Sequence, residues 1–375
     1  MRILHVISSL GVGGAETMLA KVLGQTAKEH EARVISLTQD GPIGERIRAL
    51  GVATVSLGMR RGVPDPRGVI AVVREIRNYR PDIVQTWMYH ADLIGGIAAL
   101  AAGRRPVIWG LRNSELEVAT SKWTTRRTLQ LCALLSRWVP VRIVSCSHRA
   151  RDFHIAQGYD AARMVVISNG FDLSSFAPMP DARDEVRREL GIASDAIVIG
   201  MVARYHPMKD FRTFARAANL IVRAQPKAEF VLCGEGLTRE NSELRAWIED
   251  AGVLDRTHLL GRRTDVARVM SALDLFTLSS LSEGFPNALG EAMACAVPCV
   301  TTDVGDCAFI LGDAGCVVPA QDPDALAEGW NQILELPLER RADLARRGRE
   351  RIASNFSIET VASEYAKVYR GVLRP

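Results

Sequence analysis

Two glutamates eight positions apart, Glu283 and Glu291, enclose the segment of this chain with the clearest capacity for chemistry. Between them, Pro286 can occupy the first position of a helix, because that position needs no backbone N–H. Glu283 then lies in the approach loop, and Glu291 lies a little over one turn inside the helix. The free N–H groups and the positive dipole end of a helix start favour a diphosphate, and the two carboxylates can accept hydrogen bonds from sugar hydroxyls.

A second group of charges follows an apolar run of strand length at 196–203. Arg204 and Lys209 lie in the loop directly after that run. Cations fixed beside a phosphate stabilise the negative charge that accumulates on it when it departs as a leaving group. The alternative interpretation is a solvated basic loop.

The 283–291 segment, with Ala-Met-Ala and Val-Pro-Cys-Val after it, resembles the E-x7-E motif of retaining glycosyltransferases of family 4. Ala296 stands where this family usually has glycine, and we expect only a tighter turn there. The resemblance implies that Glu283 orients the donor sugar and Glu291 the ribose, while Arg204 and Lys209 clamp the diphosphate. It also implies backbone contacts to the nucleotide sugar from Gly284, Phe285, Asn287, Ala288 and Leu289.

Glycine turns after other strand-like runs complete the predicted nucleotide site. Gly234 follows one such run, and the segment 261–266, which includes Arg263, follows another. Each pattern is weak alone, but with the resemblance they place a nucleotide across several strand ends, with 261–266 near the base.

Near the start of the chain, a strand is followed by a loop that ends in Gly13-Gly14-Ala15-Glu16, where a helix begins near residues 15–16. The loop lacks the complete Gly-x-Gly-x-x-Gly pattern of dinucleotide-binding proteins. It resembles the Gly-Gly-Ala-Glu element of family 4 enzymes, which implies that Gly14 approaches donor phosphate or acceptor. A merely tight strand-to-helix turn is the alternative.

Two further loops of the first half can contact the reacting sugar or the acceptor. His90 lies near the carboxyl end of a predicted strand, where ligands bind in such sheets. Arg112 and Asn113 occupy a second loop in which many family members have histidine, so Arg112 is a candidate for an acceptor anion. For His90, a helix-capping or core-edge role is the alternative.

Alternating strand-like and helix-like runs in 375 residues predict two doubly wound α/β domains. The resemblance implies the GT-B fold: two Rossmann-like domains facing across a cleft, with a C-terminal helix crossing back. We expect an acceptor-binding domain at 1–170, a donor-binding domain at 171–355 and the returning helix at 356–375.

Charge is distributed unevenly between these halves. Residues 1–170 carry 23 Lys and Arg against 13 Asp and Glu, a balance of +10, whereas the remainder has a balance of −6. A basic first half favours an anionic target, such as a lipid diphosphate, an acidic glycan or the membrane surface. The segment 119–143 can form a helix at a bilayer interface, or a core helix with a basic collar. Aromatic residues make up only 6% of the sequence, and no recognised nucleic-acid-binding motif accompanies the arginines. Both observations argue against nucleic acid as a partner.

The N-terminal run and the cysteines indicate the cellular compartment of the protein. The N-terminal apolar run is short and contains His5, so we expect no signal peptide, and no segment is long enough to span a bilayer. Seven scattered cysteines favour a reducing cytosolic environment, and the basic first half favours a place at the cytoplasmic face of the membrane. We expect neither a metal nor another cofactor.

Together with these features, the resemblance to family 4 implies a retaining, metal-independent transferase that moves a hexose from a nucleotide sugar to a glycan or polyprenyl-lipid-linked acceptor. UDP-sugars are favoured over GDP-sugars, and same-face attack is favoured over a covalent intermediate. The alternatives are a nucleotide-sugar epimerase of the same fold and a non-catalytic sugar-nucleotide-binding scaffold subunit. Acceptor contacts are expected from loops such as 58–68 and 112–127.

Overall fold

The computed structural model describes residues 1–27, 29–60, 66–113 and 123–373. The chain divides into two compact units, the first formed by Met1–Gly170 with Ile358–Pro375 and the second by Phe171–Ser357. Parts of the expected acceptor loops, residues 61–65 and 114–122, lie outside the described residues. Among the described helices, none combines the length and the apolar character needed to cross a membrane.

The first unit is a parallel sheet with helices on both faces. Its strands are β1 Arg2–Ile7, β2 Glu31–Ser36, β3 Ala53–Ser56, β4 Ile83–Trp87, β5 Val107–Leu111, β6 Arg142–Ser145 and β7 Met164–Val166. Its helices before the crossing to the second unit are α1 Gly14–Thr26, α2 Pro42–Ala49, α3 Pro66–Tyr79, α4 Tyr89–Ala101, α5 Trp123–Leu135 and α6 His148–Ala156. The strand order in the described residues is β3-β2-β1-β4-β5-β6-β7.

The second unit repeats this architecture. Its strands are β8 Ile197–Val202, β9 Ala228–Cys233, β10 Thr257–Leu259, β11 Leu275–Leu278, β12 Cys299–Thr302 and β13 Gly315–Val318, in the order β10-β9-β8-β11-β12-β13. Its helices are α7 Pro180–Glu189, α8 Phe211–Ala224, α9 Ser242–Asp250, α10 Val266–Ser271, α11 Asn287–Ala294, α12 Cys307–Leu311, α13 Pro323–Leu334 and α14 Leu338–Phe356. The last helix, α15 Ile358–Leu373, packs on α1 and belongs to the first unit.

Continuous apolar strands and amphipathic helices explain this layering. In β8, Val198, Ile199 and Met201 are buried, as expected for a parallel strand covered on both faces. Helix α8 buries one face and is capped at its N-terminus by Asp210, whose side chain accepts a hydrogen bond from the Thr213 N–H. The prediction of two doubly wound α/β domains is confirmed.

The hydrophobic cores lie between each sheet and the helices that cover it. In the described part of the first unit there are two apolar clusters, one containing residues of α1, α2 and α15 and the other containing residues of α3, α4 and α5. One continuous cluster fills the second unit, with Phe214, Phe230 and Trp330 in mutual ring contact.

The structure moves one expected boundary. Phe356 ends α14 and is buried in the second unit's core, so the returning segment starts at Ile358 rather than at residue 356. The physical reason is local: the N–H of Phe171 donates to the Phe356 carbonyl, and Ser357 bridges Phe171.

Candidate functional site

The second sheet reverses its strand order between β8 and β11. From β8 the chain continues outward through β9 and β10 on one side, while β11, β12 and β13 extend the other side. Loops leaving the carboxyl ends of two such strands separate from each other, which opens a crevice where ligands bind in sheets of this type. Lys209 lies after β8 and Glu283 lies after β11, so both predicted residues flank this point.

Lys209 and Glu283 form an ion pair at the reversal point. The Lys209 Nζ lies 2.5 Å from the Glu283 Oε1, and the Ser280 hydroxyl donates to the same oxygen at 2.7 Å. The Glu283 side chain is only 9% exposed, so its charge is largely removed from water and needs such partners. The sequence predicted both residues but missed Ser280, whose signal is its position three residues before Glu283.

Hydrogen bonds to main-chain carbonyls fix the Glu283 loop. The Ser279 hydroxyl donates to the carbonyls of Lys209 at 2.9 Å and Asp210 at 3.0 Å. The Leu281 N–H donates to the Met208 carbonyl at 2.8 Å. The two loops that carry the ion pair are therefore joined by hydrogen bonds to backbone carbonyls, so their positions do not depend on the Lys209 and Glu283 side chains alone.

A third loop, after β12, closes on the same place. The Thr302 hydroxyl donates to the Ser280 carbonyl at 2.8 Å, and the Asp306 N–H donates to the Gly284 carbonyl at 3.1 Å. Gly305 has a φ of 57°, and a Cβ there would lie 2.1 Å from the Glu283 carbonyl oxygen. Only glycine permits this approach, which packs the backbone of residues 283–284 against the loop after β12.

Helix α11 starts one residue later than expected. Pro286 is the residue before the helix and Asn287 is the first helical residue, so the expected first position for Pro286 is wrong. The cause is its ψ of 93°, which is extended rather than helical. Glu291 is the fifth residue of the helix, is half-buried, and contributes to the raised pKa of the Cys295 thiol after the larger effect of burial.

Two of the predicted contacts in this segment have side chains in the core. Leu289 is fully buried, and Phe285 is buried in ring contact with Phe171 and Phe356. Any ligand contact by these two residues must use their backbone. Gly284 and Ala288 are half-exposed beside them.

The glycine turns after β9 and β10 lie together. The Gly234 N–H donates to the Gly261 carbonyl at 2.8 Å, and a Cβ on Gly234 would lie 1.9 Å from the Ala203 carbonyl oxygen. Gly234 has a φ of 151° and thereby lets this turn approach the backbone just before Arg204, whose side chain is exposed.

Arg263 has carboxylate partners of its own. Its guanidinium contacts Asp265 at 2.7 Å and Glu189 at 2.5 Å, and these two hydrogen-bonding carboxylates raise its pKa. A ligand that contacts this side chain must compete with both carboxylates, so the nearby backbone is the better candidate for a contact to a base.

The first sheet also reverses its order, between β1 and β4. Gly14 is the first residue of α1, one residue before the expected start, and a Cβ there would meet nothing within 4 Å. His90 follows β4 at the start of α4, and burial lowers its pKa. Both predicted residues therefore flank the reversal point of this unit, as Lys209 and Glu283 do in the other.

The Arg112 side chain makes its contacts inside the first unit. Its guanidinium donates to the Asn169 side chain and to the Tyr365 hydroxyl, both at 3.1 Å, and lies 5.0 Å from the Trp87 ring centre. These contacts fix α15 to the sheet. Asn113 is half-buried and hydrogen-bonds to Tyr89, whose pKa is raised chiefly by burial.

Sequence reasoning missed Asp92, two residues after His90. Its Oδ1 accepts from the Thr86 hydroxyl at 2.5 Å and from the Gly110 N–H at 3.3 Å, while its Oδ2 is buried with no hydrogen-bond partner. Complete burial raises the pKa of this carboxyl well above its usual range. Asp92 thus joins the ends of β4 and β5, beneath the loops that carry His90 and Arg112.

Two family models cover most of the chain. Residues 12–175 match the model described as Glycosyltransferase Family 4, and residues 196–336 match the model described as Glycosyl transferases group 1. The chain belongs to glycosyltransferase family 4. The resemblance inferred from the residues around Glu283 is confirmed.

Curated relatives of this family 4 glycosyltransferase span most of its length. It is 27% identical over 273 residues to the UDP-Gal:alpha-D-GlcNAc-diphosphoundecaprenol alpha-1,3-galactosyltransferase of Escherichia coli, covering 71% of this chain and 70% of the relative. It is 28% identical over 311 residues to the putative glycosyltransferase EpsF of Bacillus subtilis, covering 80% and 79%.

Among solved structures, this glycosyltransferase is similar to Anabaena HepE in complex with UDP. The TM-score is 0.85 at 24% identity, over 99% of this chain and 100% of the other. This likeness confirms the GT-B fold.

Proposed function

We propose that this glycosyltransferase moves a hexose-type sugar from a nucleoside diphosphate to a glycan or lipid-linked acceptor, with retention of configuration, in polysaccharide or glycolipid synthesis. UDP-sugars are the favoured donors and GDP-sugars the second choice. In support, the E. coli relative carries UDP-Gal and a diphosphoundecaprenol acceptor in its name, EpsF is named a putative glycosyltransferase, and HepE was solved with UDP.

The observation that carries the proposal is the ion pair of Lys209 and Glu283 at the strand-order reversal. Without a donor, Lys209 neutralises a poorly solvated carboxylate. When a nucleotide sugar binds, the ammonium group can turn to the diphosphate while Glu283 accepts hydrogen bonds from the sugar. Each group then has a hydrogen-bonding partner in both states, so the exchange leaves neither group buried without one.

The remaining roles follow from position. The exposed Arg204 reaches the diphosphate together with Lys209, and the half-exposed backbone at Gly284 and Ala288 donates to it. Glu291 binds the ribose. Arg204 and Lys209 stabilise the negative charge on the leaving phosphate, and we propose that no divalent metal takes part.

Retention is proposed to occur by same-face attack. Glu283 Oε1 accepts a hydrogen bond from Ser280, and in the donor complex the sugar hydroxyls also donate to this carboxylate, which reduces the electron density available for a covalent bond to the sugar. The leaving phosphate then accepts the acceptor's hydroxyl proton while the new bond forms on the same face. Proton NMR of the freshly formed product checks this step: the donor's anomeric configuration is expected, and the opposite configuration would refute it.

We further propose that the enzyme works at the cytoplasmic face of a membrane, where a lipid-linked acceptor is presented. The excess of basic residues in the first half of the sequence supports this placement.

Calorimetric titration of UDP, GDP and ADP into the protein with EDTA present tests the donor site. UDP is expected to bind most tightly, and Arg204→Ala is expected to weaken it about tenfold or more, since a hydrogen bond to a charged group is worth about 1.5–3 kcal/mol. Arg340→Ala, which removes an exposed arginine of α14 in the same unit, is the matched control. UDP binding that appears only with a divalent ion would refute metal independence, and equal loss in both variants would refute the role of Arg204.

A further inference from the structure

Helix α5 has an unusual outward face. The inward face, with Thr128, Leu129, Cys132 and Ala133, is buried against the first unit. The exposed positions of the helix and the turn after it recur at helical spacing and are Trp123, Arg126, Arg127, Gln130, Leu131, Leu134, Arg137 and Trp138. Trp123, Leu134 and Trp138 are each more than 60% exposed, which is uncommon for such large apolar side chains in a row.

The neighbouring helix extends this surface. Helix α4 packs against α5 and exposes Ile97 and Leu100, followed by the exposed Arg104 in the next turn. We define the α4–α5 face as these three residues together with the exposed residues of α5 and its following turn. A core helix alone would not require tryptophan and leucine on its solvent side, so burial in the first unit does not explain this face.

The charge of the face has one sign. In the described residues 93–113 and 123–151 there are nine arginines and not a single aspartate or glutamate. Four of these arginines, Arg104, Arg126, Arg127 and Arg137, belong to the α4–α5 face. Any partner must therefore accept apolar side chains and also supply negative charge.

We propose that the α4–α5 face docks this enzyme onto an anionic lipid bilayer. Tryptophan rings favour the boundary between headgroups and acyl chains, and leucines beside them bury apolar area there. Each arginine near an anionic surface adds about fivefold in affinity at moderate ionic strength. Charge complementarity selects a bilayer over a second copy of the chain, whose identical face is equally positive and would repel it.

The inference deepens the proposed function and rests on it for its purpose, since docking brings the protein to a membrane-held acceptor. The docking itself is measured without any sugar transfer. The α4–α5 face includes exposed side chains of the segment 119–143 that the sequence predicted for a bilayer interface. Lys122 and the rest of 119–122 lie outside the described residues.

Flotation with vesicles of phosphatidylcholine alone, or mixed equally with phosphatidylglycerol, tests the proposal. The unmodified chain should float with the mixed vesicles, float less as salt is added, and remain behind with phosphatidylcholine alone. Leu134→Asp and the double variant Arg126→Glu with Arg127→Glu should each lose at least tenfold in partitioning. Controls on the second unit are Leu338→Asp and Arg340→Glu, both on exposed residues of α14, and they should float normally.

Three outcomes would overturn the proposal: no flotation of the unmodified chain, equal flotation of Leu134→Asp, or equal losses in the α14 controls. A dimer in sedimentation experiments that Leu134→Asp dissociates would assign the face to chain–chain contact instead. UDP calorimetry on the same preparations separates the two proposals. Normal UDP binding with failed flotation would refute only the docking, and the reverse result would refute only the donor site.

Discussion

At the scale of single residues, Glu283 and Lys209 constrain each other. Glu283→Gln removes the negative charge that Lys209 pairs with but keeps a group able to accept from Ser280. Because Lys209 is then available to phosphate, we expect UDP to bind at least as tightly as in the unmodified enzyme. Sugar transfer should fall about a hundredfold, since the carboxylate no longer orients the donor sugar.

Calorimetry with UDP and initial-rate measurements on the same Glu283→Gln preparation check this separation. Lys209→Met is the complementary variant and should weaken UDP binding as well as transfer. If Glu283→Gln bound UDP ten times more weakly, Glu283 would be needed to build the nucleotide site, and its assigned role in orienting the sugar would be wrong.

Asp92 gives a pH-dependent prediction at the same scale. Its pKa is raised in the folded state, so between the unfolded pKa of about 3.9 and the higher folded value the native protein binds the extra proton. The unfolding free energy therefore falls as pH rises through that range, by about 1.4 kcal/mol per unit from this group. Asp92→Asn cannot ionise, so its stability relative to the unmodified chain should increase with pH over the same range.

Urea unfolding of both proteins at several pH values from 5 to 8 measures this difference. The buried His5 and His154, whose lowered pKa values are about 3 and about 4, titrate in both proteins and cancel in the comparison. A stability difference that does not change with pH would show that Asp92 is not held neutral.

At the scale of elements, the end of α11 carries a strained residue. The Ala296 N–H donates to the Met293 carbonyl and the Val297 N–H to the Ala292 carbonyl, the bond pattern of a Schellman turn. Ala296 has a φ of 54°, where an L-residue with a Cβ costs about 1–2 kcal/mol. Ala296→Gly should therefore stabilise the protein by about 1 kcal/mol, as measured by urea unfolding.

Ala246→Gly is the matched control, because Ala246 is exposed within α9 and should lose about 1 kcal/mol on the same change. Loss of stability in both variants would mean that the turn at Ala296 is not left-handed in solution.

The region around this turn separates the structural features that the sequence predicts from those that it does not. The pattern around Glu283 predicted a loop followed by a helix, and alternating apolar runs predicted two doubly wound units, because strand and helix periodicities are local properties of the chain. Ala296 departs from the family pattern in the sequence itself, but its backbone conformation depends on the path to Val297, which residue types do not determine.

Side-chain partners were less predictable, because they lie far apart along the chain. Phe285 is buried because its ring packs against those of Phe171 and Phe356, which are distant in sequence. Similarly, one of the carboxylates that contact Arg263 is Glu189, from another helix. Arg112 is similar: its contacts with Asn169 and Tyr365 arise only after α15 returns to the first unit.

At the scale of the whole molecule, α15 makes the first unit depend on the end of the chain. Tyr365 is fully buried, stacks on Trp87 with ring centres 5.9 Å apart, and accepts a hydrogen bond from Arg112. Tyr365→Ala leaves a cavity and removes a partner of a half-buried cation, so we expect a loss of about 3–5 kcal/mol. Among the residues that the structure describes, none from α15 belongs to the apolar core of the second unit.

Heating Tyr365→Ala in a calorimeter should therefore separate two transitions, with the first unit unfolding at the lower temperature. UDP at a hundred times its dissociation constant should raise only the later transition, because a ligand stabilises the unit that binds it, here by about 2.7 kcal/mol. Phe214→Ala, which opens the core of the second unit, should lower the transition that UDP raises. A single transition in Tyr365→Ala that shifts as a whole with UDP would show that the units unfold together and that the stability of the first unit is not carried by α15 alone.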